Sequence, residues 1–200
     1  ASTNRLQHER RKKMKQVIHI YGASGSGTST LGRAIGAALG FTWRDSDSYF
    51  WLPTNPPYTT KRGIEERLNA LNRDIDAAEN VVLSGSLTDW GDALMPRFTL
   101  AVRVETDTPT RLARIREREY RKFGERILPN GDMHETHMNF LTWAAGYDDG
   151  GLDTRSRAKH DAWERMLQCP ILRVDGTDEI GRNVEKVRRA LEKVGKNRNE

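Results

Sequence analysis

Gly22-Ala23-Ser24-Gly25-Ser26-Gly27-Thr28-Ser29-Thr30 is the segment whose residue types and spacing are best suited to binding an anion. Glycine accepts dihedrals that other residues avoid and has no side chain, so backbone N–H groups here can converge on one point. The segment follows the apolar run Val17-Ile18-His19-Ile20-Tyr21 and opens a helical pattern. The partial positive charge of a helix N-terminus therefore stands behind it, and a nucleotide phosphate chain fits the site. Ser29 is placed to offer its hydroxyl to Mg²⁺. The spacing matches the phosphate-loop pattern G-x-x-x-x-G-K-[ST] except at the lysine position, which holds Thr28. A lysine there sets an ammonium on the β- and γ-phosphates, whereas a threonine supplies a hydrogen bond without charge. Either another cation compensates, or nucleotide binds with little phosphate transfer.

Asp45-Ser46-Asp47 ends the second strand-like run. Alternate residues of an extended segment share a face, so both carboxylates can reach a ligand at the carboxyl end of a sheet. One would hold Mg²⁺ through water and the other would accept a proton from a substrate hydroxyl. A solvated turn is the competing reading. Ser84-Gly85-Ser86 closes the third strand with small residues, leaving room for a substrate to approach backbone.

Arg111, Arg114, Arg118 and Arg121 recur at spacings of three or four and form one helical stripe. They read either as a salt-bridged surface or as a charge clamp over phosphates. Arg155 and Arg157 are the next candidates. His134 and His137 lie three apart without thiolates, an H-E-x-x-H motif or a clear helix beneath them, which argues against a metal pair. Trp51 and Trp90 are candidates for a substrate pocket.

These side chains need a scaffold, and the chain alternates strand-like and helix-like segments. Leu31, Ala34, Ile35, Ala38 and Leu39 mark one helix face, stopped by Gly40. Phe41–Arg44, Val81–Leu83, Phe98–Val104 and Ile171–Val174 read as further strands. Helices are predicted over 62–79, from an N-cap at Thr108 to about Phe123, near 155–168, and after Asp175-Gly176-Thr177. Residues 124–153 read as irregular and lid-like. The predicted fold is α/β: three layers, with an open parallel five-stranded sheet and helices on both faces. One domain over 16–196 carries a lid at about 118–155.

The 200 residues fit one domain. The net charge of +5 traces to residues 1–15, where six basic side chains face Glu9. The rest balances at 27 basic (33 less 6) and 27 acidic (28 less 1). Residues 1–15 thus read as a basic disordered tail, with no specific nucleic-acid site implied. The sequence shows neither a membrane-span pattern nor a secretory signal, and its one cysteine, Cys169, reads as a small buried residue. A cytoplasmic monomer or homodimer is the expectation.

Taken together, these motifs resemble the P-loop small-molecule kinases built like adenylate, shikimate and gluconate kinases. The resemblance spans roughly Val17 to Val194. It implies an ATP-dependent, Mg²⁺-dependent transfer to a small-molecule acceptor, with a nucleoside monophosphate as the second choice. A nucleotide-binding regulator with little turnover is the alternative that Thr28 keeps open. By this resemblance Gly22–Thr30 holds the triphosphate, and Ser29 and Asp45 hold Mg²⁺. Asp47 meets the substrate hydroxyl, and Arg62 of Arg62-Gly63-Ile64-Glu65 binds a substrate anion. Gly85, Ser86 and Arg157 complete the acceptor site, Arg114, Arg118 and Arg121 close over the reaction, and Asp175-Gly176 lines adenine.

Overall fold

The computed structural model describes residues 14–197. The basic tail predicted over 1–15 therefore lies outside the described residues, apart from Met14 and Lys15. Lys15 Nζ donates to the carbonyl of Ile75 at 2.7 Å.

Five parallel strands form one sheet in the order β2-β3-β1-β4-β5. They are β1 (Val17–Gly22), β2 (Thr42–Asp45), β3 (Val81–Ser84), β4 (Leu100–Glu105) and β5 (Ile171–Asp175). β1 is central, and all six of its residues are buried. Its alternation separates two apolar layers, as a period of two requires. Ile18 and Ile20 face Leu31, Ile35, Val102 and Val187. Val17 and Tyr21 face Leu71, Ile75, Leu83 and Trp163. Each fully buried aliphatic side chain contributes about 1.5–3 kcal/mol. The register aligns the strand ends that matter: Asp45 lies beside Ser84, and Gly22 beside Val104.

Helices α1 (Thr28–Leu39), α2 (Asp47–Phe50), α3 (Ile64–Ala77), α4 (Thr108–Phe123), α5 (His134–Ala145), α6 (Arg157–Met166) and α7 (Ile180–Asn197) complete the three layers. α1 stops at Gly40, which adopts φ +70°. The α4 cap falls one residue earlier than expected: the Asp107 carboxylate accepts from the Thr110 N–H at 3.0 Å, and Thr108 is already helical.

The irregular segment expected over 124–153 is corrected. It contains a 3₁₀ turn at Gly124–Ile127 and all of α5. The buried positions of α5 are His137, Leu141 and Ala144, a proper helical spacing. A histidine fills one of them, and Met138 and Trp143 are exposed, so the apolar stripe is blurred in the sequence. His134 and His137 are accordingly helical. His134 contacts the Ile127 carbonyl through Nδ1 at 2.9 Å, and His137 pairs with Glu119 of α4. Among the described residues no three His, Cys, Asp or Glu side chains gather as a metal-ligand set. No helix among them is long and apolar enough to cross a membrane.

Candidate nucleotide and acceptor site

The loop between β1 and α1 has the shape that its glycines allow. Gly25 and Gly27 sit at φ +81° and +105°, where L side chains are strained. A Cβ on Gly22 would meet the Val104 carbonyl at 2.5 Å, and one on Gly25 would meet the Arg111 carbonyl at 2.6 Å. Gly27 caps α1 with no side-chain hydrogen bond, and the first turn of α1 carries no acidic residue. The first N–H groups of a 12-residue helix are thereby left for an anion. Ser26 is fully buried, yet its hydroxyl has no partner among the described residues. A buried hydroxyl without a partner is costly, and a phosphate oxygen would satisfy it.

Two arginines of α4 hold this loop from outside. Arg111, fully buried, donates to the carbonyls of Ser24 (3.2 Å) and Ala144 (3.1 Å) and to the Thr108 hydroxyl (2.7 Å). Arg114 donates to the carbonyls of Ser26 (3.3 Å) and Gly176 (2.9 Å). Gly176 packs so closely that a Cβ on it would lie 2.3 Å from the Ser26 carbonyl. The Asp175-Gly176 turn therefore touches the phosphate loop directly. Next to it, Asp107, Arg157, Arg173, Asp175 and Thr177 line a cavity at the carboxyl ends of β4 and β5. Hydrogen bonds from Thr177 lower the Asp175 carboxyl pKa.

On the other side of the loop, the Ser29 hydroxyl donates to Asp45 Oδ2 at 2.6 Å. The second Asp45 oxygen accepts the Asp47 N–H at 3.0 Å, which starts α2. These are hard oxygen donors in the small number that Mg²⁺ takes from protein when phosphates complete its shell. Asp47 is itself exposed. Desolvation by the surrounding protein first, though the residue keeps solvent exposure, and the Asp45 charge second, raise its carboxyl pKa, against Arg155, Arg118 and Lys122. A raised carboxyl is a better proton acceptor at neutral pH than an ordinary one.

A further group of candidate residues gathers at the end of β3. Gly85 sits at φ +107°, with the Ser46 hydroxyl only 1.9 Å from where a Cβ would be. Its carbonyl meets His19 Nε2 at 3.0 Å, and Ser86 meets His160 Nε2 at 3.2 Å. Arg62 donates to the Tyr49 carbonyl at 3.2 Å and to Glu66 at 2.6 Å. Arg67, not singled out in the sequence, lies buried 3.9 Å from the Phe50 ring centroid and 5.5 Å from that of Trp90. Trp51 packs edge-on against Tyr58, and Lys122 donates to the Tyr58 hydroxyl at 2.9 Å, tying the 51–61 loop to the end of α4.

The structure thus brings together Gly22–Thr30, Asp45, Asp47, Gly85, Ser86, Arg114, Asp175 and Gly176, with the Arg118 charge close enough to work against the rise in the Asp47 carboxyl pKa. Arg121 lies apart, pairing with Glu117 on an exposed face. Arg157 falls on the Asp175 side, paired with Asp148 at 2.8 Å. Sequence reasoning missed Arg67, Lys122, Tyr147 and His160. The last two carried no local signal, since only tertiary packing joins them to Ser86.

The fold and this loop define a P-loop, small-molecule-kinase-like α/β protein. Residues 18–136 match the family described as "AAA domain", and the chain belongs to that family. It is 41% identical over 174 residues to the uncharacterized protein YqaC of Bacillus subtilis (strain 168), covering 87% of this chain and 96% of that protein. Its fold is similar to that of shikimate kinase from Bacteroides thetaiotaomicron, with TM-score 0.52, 20% identity and coverage of 88% and 98% of the two chains. It is also similar to that of a gluconokinase from Sinorhizobium meliloti 1021, with TM-score 0.52, 18% identity and coverage of 91% and 94%.

Proposed function

We propose that this chain is an Mg²⁺-dependent phosphotransferase that passes the γ-phosphoryl group of ATP to a small-molecule acceptor. The observation that carries this reading is the 2.6 Å hydrogen bond from Ser29 to Asp45, which sets a hydroxyl and a carboxylate side by side at the mouth of the glycine loop. The backbone of Gly22–Thr30 binds the triphosphate, and the Ser26 hydroxyl gains its missing partner there. Ser29 and Asp45 hold Mg²⁺, which when bound neutralises charge on the phosphates. Asp47 accepts the proton of the attacking hydroxyl. Arg62, Gly85 and Ser86 position the acceptor. Arg114 and Arg118 supply positive charge to the transferring group, with Arg121 the outlying member of that stripe. Asp175, Gly176 and, from its position, Arg157 serve the base and ribose side. Positioning and electrostatics account for most of such catalysis.

Thermal stability with and without Mg²⁺·ATP tests this reading. Ligand at about 100 times its dissociation constant adds roughly 2.7 kcal/mol. The rise is expected in the wild type and lost in the Ser29→Ala/Asp45→Asn double variant. No rise with any nucleoside triphosphate refutes the proposal.

A second reading, a nucleotide-binding regulator with little turnover, draws on Thr28, which begins α1 where the phosphate-loop pattern has lysine. Tight Mg²⁺·ATP binding with no transfer to any acceptor in a broad panel would favour it.

A further inference from the structure

Arg67, Arg103 and Arg111 are the buried arginines among the described residues, and two of them have their donors engaged. Arg103 pairs with Asp161 at 2.6 Å and with Glu164 at 2.8 Å. Arg111 donates to three carbonyls and a hydroxyl. Arg67, 6% exposed, differs from both. Its Nε donates to the Arg62 carbonyl at 2.7 Å, and its guanidinium has no other hydrogen-bond acceptor and no carboxylate partner among the described residues. Neither Nη nitrogen is sealed from solvent, so the small exposed area of the residue includes them. A largely buried cation without a counter-ion is destabilising, and an anion at its open edge would remove that penalty.

Arg62 fixes where this cation stands. Its N–H donates to the Phe50 carbonyl at 2.8 Å and its Nε to the Tyr49 carbonyl at 3.2 Å, fastening it to the end of α2. Its Nη1 is taken by Glu66 at 2.6 Å, so the charge of Arg62 is paired while that of Arg67 is not. The Arg67 Cζ lies over the Phe50 ring, 3.9 Å from its centroid, and the Phe50 and Trp90 rings meet edge-on at 6.3 Å. Phe50 ends the helix that Asp47 begins, and Trp90 lies just beyond Ser86. The guanidinium is thus placed between the segment that bears Asp47 and the one that bears Ser86. The Phe50 ring covers one face of the cation and leaves its edge for a ligand. With Nε engaged, the free edge is the Nη1–Nη2 fork, whose parallel N–H groups match two oxygens of a carboxylate or a phosphate. An alcohol could accept from one N–H but would leave the charge unpaired, so the charge separates an anion from a neutral hydroxyl.

We infer that Arg67 is the anion-recognising residue of the acceptor site, and that the acceptor bears a carboxylate or phosphate group in addition to the group that is phosphorylated. This rests on the acceptor site proposed above and deepens it: Arg62 sets Arg67 in place, and Arg67 meets the anion.

NMR titration of the full chain in the presence of Mg²⁺·ADP, following the Arg67 Nε–H and Trp90 indole signals, tests this. The probes share one carbon skeleton: glycerate carries a carboxylate, glycerol 3-phosphate a phosphate, and glycerol neither. Saturable shifts with one or both anions, and none with glycerol, are expected. The tighter of the two anions tells a carboxylate site from a phosphate site. Anion affinity should fall about tenfold in Arg67→Lys, which keeps the charge but loses the fork, and further in Arg67→Met. A merely structural arginine would lower stability to urea in these variants and leave anion affinity unchanged, which overturns the inference. An equal response to glycerol, or none to any probe, overturns it in the wild type alone, whether or not the variants fold. Shifts in Gly22–Thr30 on adding Mg²⁺·ADP report the nucleotide site separately. Their absence beside an Arg67 response to the anions would sink the phosphotransferase reading and leave the anion site standing.

Discussion

Arg111 reaches from the first turns of α4 into the phosphate loop, where it donates to the Ser24 carbonyl at 3.2 Å with no solvent exposure. Burial lowers its pKa, so the charge is held at a cost that hydrogen bonds offset. It forms no salt bridge with a described residue, and its listeners are carbonyls and a hydroxyl: Ser24, Thr106, Ala144 and Thr108. The member of the arginine stripe that holds Ser24 is thus a brace, and under the proposed function catalytic charge would fall to its neighbours.

Arg111→Met should therefore lower both stability and nucleotide affinity. Methionine fills part of the volume but leaves the Ser24 and Ala144 carbonyls without donors. A loss of about 3 kcal/mol is expected, in the range for breaking a buried polar network. Urea unfolding read beside Mg²⁺·ATP titration checks this. A variant as stable as the wild type would show that the loop does not depend on the brace.

Gly25→Ala separates loop shape from global stability. Its φ of +81° and the Arg111 carbonyl 2.6 Å from a Cβ leave no room for a methyl group. The loop must shift, but it is a surface turn outside both apolar layers. Expected is a modest fall in the unfolding midpoint, of about 1–3 kcal/mol, with a much larger fractional loss of Mg²⁺·ATP affinity. Unchanged affinity in this variant would mean that the loop conformation does not serve nucleotide.

How far the sequence revealed these features depends on where the physics is local. The glycine loop was legible because the positive φ of Gly25 and Gly27 is a local demand and the glycine spacing matches a known pattern, although the close approaches to Val104 and Arg111 come from tertiary packing. So were β1 and β3, whose apolar runs match strands buried on both faces. α5 was not, because His137 occupies a buried helical position and Trp143 an exposed one, inverting the usual hydropathy. The cap at Asp107 was missed by one residue because Thr108 is also a good cap. Tyr147 and His160 are linked to Ser86 only by the packing of α6 against the sheet, and no spacing along the chain encodes that.

The two buried histidines also set a pH dependence. Burial lowers the pKa of His19 to about 4 and that of His160 to about 3. Both are neutral in the fold and take up a proton on unfolding once the pH drops below the ordinary value of about 6.5. The unfolded state then binds more protons, so stability rises with pH. Their contribution is fully present above about pH 6.5 and is lost as pH falls towards the folded values. Each histidine adds a slope approaching roughly 1.4 kcal/mol per pH unit. Urea unfolding between pH 6.5 and 5 reads this before most carboxylates titrate. His160→Gln should remove about half of the slope, and a wild-type stability flat across that window would contradict the assignment.

Thr28 offers the sharpest division between an enzyme and a binding protein. It begins α1 beside Ser29, and the nearest guanidinium to the preceding Gly27 is that of Arg114, whose Nη1 lies 3.7 Å from the position of a Cβ there. Arg114 is already donating to the Ser26 and Gly176 carbonyls, so its charge reaches the loop from one side. Thr28→Lys would add an ammonium within the loop. If the chain transfers phosphate and relies on Arg114 for charge, the lysine should tighten Mg²⁺·ATP binding by about tenfold, near 1.4 kcal/mol for one charge-assisted contact. In that background Arg114→Gln should cost less than it does in the wild type, because the two cations would serve the same oxygens and their effects would not add. Titration of Mg²⁺·ATP into the four proteins of this cycle measures the coupling directly. Strictly additive effects would place Arg114 outside the phosphate site and leave it as a clamp between Ser26 and Gly176.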